Sequence, residues 1–184
     1  DAVATADRIL EELFPDNDTP TASTVTPLPR CGAAIAMLLP ADIDGFLRRT
    51  FQHMKMHHRL APLTEYFHSR GRMGVSGKMY AHFHLGAVDV IAFGTDGLTL
   101  ANTFRYREPA DAVYYILACR RMLDSDSDSE LFVSGDQTLR EHVVPTLREY
   151  VPYVMPAIFP ASALRTGHNA INLPLELTVL PLCE

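Results

Sequence analysis

The sequence lacks the features that mark membrane, disulfide-stabilised and polyanion-binding proteins. No stretch reaches the roughly 18–20 apolar residues of a membrane-spanning helix, so we expect no membrane insertion. Its only cysteines, Cys31, Cys119 and Cys183, are odd in number and widely spaced. That pattern disfavours a disulfide framework and favours a reducing, cytoplasmic compartment. The net charge of −6 gives no electrostatic footprint for nucleic acid.

Several nucleotide-binding and catalytic motifs are also missing. The chain has no Walker loop, dinucleotide fingerprint, serine nucleophile elbow or Cys-x-x-Cys pair. What remains is ordinary globular composition, with 47% hydrophobic and 21% charged residues. A length of 184 residues fits one domain, or one and a fraction.

The first 70 residues predict helices, a linker and a strand. Apolar residues at helical spacing indicate helices over Val3–Phe14, Asp42–Phe51 and Ala61–Ser69. Four prolines among Asp, Asn, Ser and Thr predict a linker over Pro15–Arg30, within which Val25 is a candidate addition to a sheet edge. The continuous apolar run Cys31–Leu39 is typical of a fully buried strand.

The middle of the chain predicts three strands joined by tight turns. The strand-like runs are Met79–Leu85, Val88–Phe93 and Leu98–Tyr106. Gly86 separates the first run from the second. Asp96-Gly97, between the second and third runs, is a strong hairpin signal. An antiparallel three-stranded meander is therefore expected here.

The remaining sequence predicts a helix, a strand and a second helix. A helix is expected over Pro109–Leu123, then a Ser/Asp loop over Asp124–Ser129, a strand over Leu131–Ser134 and a helix over Gln137–Tyr150. In the proline-rich tail only Leu175–Leu180 appears strand-like. The order β-β-β-α-β-α predicts an α/β domain with a ribonuclease-H-like mixed sheet flanked by helices.

Four segments carry a resemblance to a known family. They are YAHFHLGAVDVIAFGTDGLTLANTFRYREPADAVYYIL (Tyr80–Leu117), LFVSGD (Leu131–Asp136), LREYVPYVMPAIFP (Leu147–Pro160) and LPLCE (Leu180–Glu184). The chain, from about Cys31 onward, resembles a bacterial domain-of-unknown-function family of the actin-like ATPase, or ribonuclease-H-like, superfamily. Its architecture is also similar to the type IV pilus assembly protein M, a cytosolic scaffold.

The resemblance implies a domain organisation. Members of the family carry another ribonuclease-H-like half ahead of this region. We therefore expect residues 1–30 to be a joining helix and proline-rich linker. Residues 31–184 would form the second half of a two-part actin-like fold.

The resemblance also bears on nucleotide chemistry. An active member of the superfamily uses an Asp-x-Gly turn after its first strand, whose acid holds the metal or its water shell. Here the turn reads His84-Leu85-Gly86, and a neutral imidazole is a poor partner for Mg²⁺, which prefers oxygen. Ser134, Gly135 and Asp136 stand at a strand-to-helix turn, as an adenosine-contacting glycine does. Gly86 and these three residues therefore form an alternative, nucleotide-binding site. The competing interpretation is that the glycines are there only because the backbone turns at these positions.

Two alternating histidines give a further alternative. His82 and His84 share one face of their strand, and a two-residue turn at Leu85-Gly86 would place Asp89 opposite His82. Two imidazoles and a carboxylate would suit Zn²⁺ or Fe²⁺. The competing interpretation is a polar, solvent-facing strand side.

The sequence favours a non-catalytic scaffold or protein-interaction domain that needs no cofactor. A nucleotide-binding phosphotransferase or ATPase that needs the other half is the first alternative, and a His-based metallohydrolase is the second. An unknown protein or a second copy is the expected partner, because exposed tyrosines favour protein interfaces. The aromatic residues in the segments that carry the resemblance are Phe104, Tyr106, Tyr114, Tyr115, Tyr150, Tyr153 and Phe159.

Overall fold

The computed structural model describes residues 2–15, 19–71, 77–123, 129–160 and 173–182. The chain forms two compact units, residues 1–61 and 62–184. The two units are compact regions of the chain and need not coincide with fold domains. The assignment of residues 31–184 to one ribonuclease-H-like domain therefore stays a prediction. The predicted Ser/Asp loop lies largely outside the described residues.

The first unit is a two-stranded sheet with helices. Its elements are α1 (Ala2–Leu13), β1 (Thr21–Leu28), β2 (Ala33–Pro40) and α2 (Ala41–Thr50), with a single 3₁₀ turn over Pro29–Cys31 between the strands. The strands are antiparallel, and Gly32 adopts the left-handed φ of 62° that closes the connection. Helix α1 turns Ala6 and Leu10 inward.

Two predictions for this unit are wrong. The predicted linker contains β1, because the β-branched residues Thr and Val favour a strand and both strands of a two-stranded sheet are edges that tolerate Pro27. The strand predicted over Cys31–Leu39 exists as β2, but none of its residues is buried. A sheet of only two strands has too little covering structure to bury a continuous apolar run.

The second unit contains a five-stranded mixed sheet. The meander consists of β3 (Lys78–His84), β4 (Ala87–Gly94) and β5 (Gly97–Arg105), followed by α4 (Pro109–Met122), β6 (Glu130–Gly135) and α5 (Gln137–Tyr150). The sheet order is β5-β4-β3-β6-β7, where β7 is Val154–Pro156, and β6 and β7 run parallel to β3. The predicted meander and the order β-β-β-α-β-α are confirmed.

Alternation along β3 directs its side chains to two different layers. Ala81 and Phe83 enter the core that α4 and α5 close with Ile116 and Leu147. On the opposite face Tyr80 stacks on Phe67 of α3 (Leu60–Gly71), with ring centroids 4.1 Å apart. Helices therefore cover both faces of the sheet, as a buried parallel pair requires.

The helices of the core begin at recognisable caps. Pro109 opens α4, and Glu108 and Asp111 form a reciprocal capping box. Asp136 caps α5 by accepting a hydrogen bond from the Leu139 backbone N–H at 2.9 Å. These caps fix where each helix leaves the sheet.

The C-terminal region departs from its prediction. The predicted strand over Leu175–Leu180 is instead the short helix α6 (Leu175–Val179), followed by a 3₁₀ turn over Leu180–Leu182. Leu175 and Val179 are buried whereas Leu177 between them is 58% exposed, which fits a helix, because a strand would place all three on one face. The sequence does not predict β7, because Pro152 lies just before it and Pro156 is its last residue.

Across the described parts of the chain, no helix is both long and apolar enough to span a membrane.

Candidate functional site

A cavity of about 610 Å³ opens at the carboxyl ends of the parallel strands β3 and β6. Its walls come from these two strand ends, the start of α5, the segment after β7, and α6. The lining side chains that could act as acids, bases, nucleophiles or ligands are His82, His84, Ser134, Asp136, Arg140 and Glu176. The site thus gathers polar groups at the edge where open α/β sheets bind ligands.

His82 and Ser134 meet because their strands are direct neighbours. In the parallel register of β3 and β6 the two residues are paired, and both side chains point to the same face. His82 Nδ1 lies 2.9 Å from Ser134 Oγ. His82 is 2% and Ser134 8% exposed, so the hydrogen bond is shielded from water.

Glu176 of α6 completes a chain of three side chains. Its Oε2 lies 3.1 Å from His82 Nε2, and the side chains are 18% and 3% exposed, respectively. An ionised carboxylate can only accept, so Nε2 carries the proton in this contact. In the tautomer of the neutral ring that carries the proton on Nε2, the Nδ1 lone pair faces the Ser134 hydroxyl.

A second polar pair, only partly buried, lies beside the first. His84 Nε2 is 3.2 Å from Asp89 Oδ1, and the same oxygen accepts a hydrogen bond from Thr103 Oγ1 at 2.7 Å. Asp89 is completely buried. The His82 and His84 rings are 6.2 Å apart, centroid to centroid, so the two pairs form one polar layer.

The turn after β3 has the predicted register. Leu85-Gly86 joins β3 to β4, and Asp89 lies opposite His82, as expected. The competing interpretation of a solvent-facing polar side is wrong, because His82 and Asp89 are buried. Their partners Glu176 and Thr103 come from other elements, which a strand pattern alone does not reveal.

The metal hypothesis joined His82, His84 and Asp89. The structure places all three on one face, but His82 faces Ser134 and Glu176 whereas His84 faces Asp89. Within residues 2–15, 19–71, 77–123, 129–160 and 173–182, no group of three or more His, Cys, Asp or Glu side chains could hold a metal ion. The His-based metal site stays a prediction.

The residues of the alternative nucleotide site are only partly brought together. Ser134, Gly135 and Asp136 line the cavity, while Gly86 does not. Gly86 has a φ of 70°, and its carbonyl accepts a hydrogen bond from the Tyr106 backbone N–H at 3.0 Å. Tyr106 also donates its hydroxyl to the His84 carbonyl at 3.1 Å, and burial raises the pKa of this tyrosine.

The glycine at position 135 is explained by backbone packing alone. Its φ is 88°, and a Cβ at this position would lie 1.9 Å from the Phe83 carbonyl oxygen. The next amide, that of Asp136, donates to the same oxygen at 2.8 Å. The glycine therefore lets the chain turn from β6 into α5 against the end of β3.

The architecture defines the class of the protein. The mixed sheet with its antiparallel meander, parallel additions and helices on both faces is an actin-like ATPase fold, as expected. A protein of this fold and unknown function from Bacteroides thetaiotaomicron superposes with a TM-score of 0.75 at 21% sequence identity. The match covers 95% of this chain and 65% of that one, so the present chain spans about two-thirds of the length of this relative.

A more distant structural match comes from a PilM-PilN type IV pilus biogenesis complex. It has a TM-score of 0.51 at 11% identity and covers 98% of this chain and 71% of the other.

Residues 5–154 match the family of proteins of unknown function DUF3822, so the chain belongs to that family. A comparison with curated proteins finds no match.

Proposed function

We propose that the chain is a protein-interaction scaffold on an actin-like fold and that it does not carry the metal-dependent nucleotide chemistry of that fold. The observation that carries the proposal is the exposure of three tyrosines. Tyr114, Tyr150 and Tyr153 expose 67%, 64% and 51% of their surface, and they lie in the segments that carry the family resemblance. Tyrosine combines a large apolar ring with a hydroxyl that stays hydrated, which suits a protein interface.

The arrangement of acids supports the second part of the proposal. The superfamily resemblance implies an acid two residues before the glycine of the turn that follows β3. Here that position is His84 in His84-Leu85-Gly86, and Leu85 between the two is 99% exposed. The nearest buried carboxylate, Asp89, is engaged by His84 and Thr103. A hard cation such as Mg²⁺ needs oxygen ligands that remain available to it.

Site-specific crosslinking tests the interaction role. A photoreactive phenylalanine analogue is placed at Tyr114, Tyr150 or Tyr153 in a host that carries the protein. Matched control sites are Arg121 on α4 and Gln137 on α5, both exposed and non-aromatic. We expect one defined crosslinked species, another protein or a second copy, at tyrosine sites and none at the controls. Equal yields at both sets of sites would contradict the proposal.

A nucleotide-binding phosphotransferase or ATPase is the second candidate. The cavity beside Ser134, Gly135 and Asp136 favours it, with acids supplied by the other half of a two-part fold. Calorimetric titration with Mg-ATP separates the candidates, and binding tighter than about 100 μM would replace the scaffold proposal. Arg140→Ala, on the cavity wall, is the test variant because Gly135 tolerates no side chain.

A further inference from the structure

We propose that Ser134, His82 and Glu176 are a serine nucleophile, its general base and the carboxylate that positions that base. The cavity beside them would bind a small carboxylic ester. This inference is independent of the interaction role, because it rests on buried polar groups at the cavity and not on the exposed tyrosines.

The direction of the hydrogen bonds prepares the serine for proton loss. Glu176 accepts from Nε2–H of His82 at 3.1 Å, which fixes the tautomer of the ring. Nδ1 is then the basic nitrogen, and it lies 2.9 Å from Ser134 Oγ. This is the geometry of nucleophile, base and orienting acid that recurs on unrelated folds, here with the two ring nitrogens exchanged.

The backbone around Ser134 also suits a nucleophile. Ser134 is the penultimate residue of the parallel strand β6, and the chain turns at the next residue, Gly135, with a φ of 88°, into the 14-residue helix α5. Serine nucleophiles on α/β folds stand at a strand-to-helix turn; Ser134 comes one residue before such a turn, without the elbow sequence motif, and it lines the cavity. The helix that follows, α5, begins at this wall of the cavity.

The chemistry proceeds in two balanced steps. Ser134 Oγ attacks the ester carbonyl carbon while Nδ1 of His82 takes its proton. The carbon–oxygen bond to the alcohol breaks, and the alcohol leaves with that proton. Water then attacks the acyl-serine by the same route, which releases the acid and restores Ser134 and neutral His82.

The cavity limits the size and character of the substrate. Its volume of about 610 Å³ lies in the range of small-molecule sites. Ala157, Phe159 and Leu173 give an apolar wall suited to a short acyl chain. The geometry therefore favours an ester with a short acyl chain over a polymeric or highly charged substrate.

Covalent labelling of the full chain tests the site directly. The wild-type protein is treated with an alkyl fluorophosphonate, and the modified peptide is identified by mass spectrometry. We expect one adduct, on Ser134. Hydrolysis of p-nitrophenyl butyrate should proceed in the wild type and fall at least about 100-fold in Ser134→Ala, because the nucleophile is removed.

Three further variants separate catalysis from folding. Ser129→Ala is the matched control, since this buried hydroxyl near the start of β6 has no hydrogen-bond partner in the described part of the chain, and it should leave labelling unchanged. His82→Gln should lower labelling as Ser134→Ala does. Glu176→Gln should lower kcat with little change in KM, as expected for a positioning residue. No adduct on the wild type, an adduct elsewhere, or full activity in Ser134→Ala would overturn the inference.

Discussion

Gly135 is a residue that no other amino acid can replace without moving the sheet. A Cβ there would lie 1.9 Å from the carbonyl oxygen of Phe83, which is backbone and cannot rotate away. The strain therefore falls on the pairing of β3 with β6. Gly86 also has a positive φ, but an added Cβ would meet nothing within 4 Å.

The two glycines give a matched prediction about stability. Gly135→Ala should lower the free energy of unfolding by more than about 4 kcal/mol, a size reserved for severe steric damage. Gly86→Ala should lower it by only about 1–2 kcal/mol, the cost of a left-handed conformation with a side chain. Urea unfolding monitored by circular dichroism measures both. Similar losses for the two variants would contradict the structure around Gly135.

Tyr80 makes stability depend on alkaline pH. It is buried between the rings of Phe67 and Phe132. Burial, with a smaller contribution from Glu130, raises its pKa to about 12. The folded state holds the phenolic proton more tightly than the unfolded chain, so this stability is present below pH 10 and is lost as pH rises towards 12.

Replacing Tyr80 should therefore weaken the alkaline transition. Tyr80→Phe removes the titrating hydroxyl and keeps both stacked rings, so we expect its Tm to fall less between pH 9 and about 11.5 than the wild-type Tm. The control is Tyr114→Phe, an exposed tyrosine on α4. An unchanged slope of Tm against pH in Tyr80→Phe would show that other groups govern the transition.

At the scale of elements, the start of α4 depends on one carboxylate. Asp111 accepts hydrogen bonds from the backbone amides of Arg107 at 3.0 Å and Glu108 at 3.1 Å, and these bonds lower its pKa. A lowered pKa means that the stabilisation is present above the unfolded-state pKa of about 4 and disappears as pH falls through the folded-state value.

Asp111→Asn tests this cap. We expect a lower Tm than the wild type at pH 7 and a difference that shrinks as the pH falls towards 2, because protonation removes the same charge. Asp96→Asn, in the exposed turn before β5, is the control and should follow the wild type. A constant difference across this pH range would assign the loss to the amide side chain and not to charge.

Local patterns predicted the elements of the second unit well. Alternation and the Asp96-Gly97 turn identified β3, β4 and β5, and Pro109 marked the start of α4. Helix α6 was predicted as a strand because Leu175, Leu177 and Val179 alternate with polar residues. Burial of Leu175 and Val179, but not of Leu177, shows that tertiary packing decided the outcome.

The candidate site could be predicted only in part. Asp89 opposite His82 follows from a two-residue turn, which sequence patterns indicate. The contact of His82 with Glu176 joins residues 94 positions apart, and no local signal reports such a pair. The polar layer therefore resembled a solvated strand face in the sequence, although it is buried in the fold.

At the scale of the whole molecule, the two units differ in the size of their cores. The second unit buries both faces of a five-stranded sheet. In the first unit, β2 has no buried residue, and among the residues of this unit that the structure describes only a few apolar side chains are enclosed, including Ala6, Leu10 and Leu28. Two-stranded sheets with so small a core are marginal on their own.

Cutting the chain ahead of α3 tests this difference. Residues 59–184 should fold cooperatively and keep a sharp thermal transition, whereas residues 1–58 alone should give the circular dichroism of a mostly unfolded chain. The uncut protein is the reference. A second fragment with no cooperative transition would show that the sheet needs the first unit for its stability.

The central position of β3 has a consequence for the order of folding. Its pairing with β4 needs only the Leu85-Gly86 turn, whereas His82 reaches Ser134 across 52 residues of chain. Closing such a span is slower than closing a hairpin, so the meander should form first and β6 should dock later. A ligand of the cavity would then contact only the completed sheet. It would lower the rate of unfolding and leave the rate at which the meander forms unchanged.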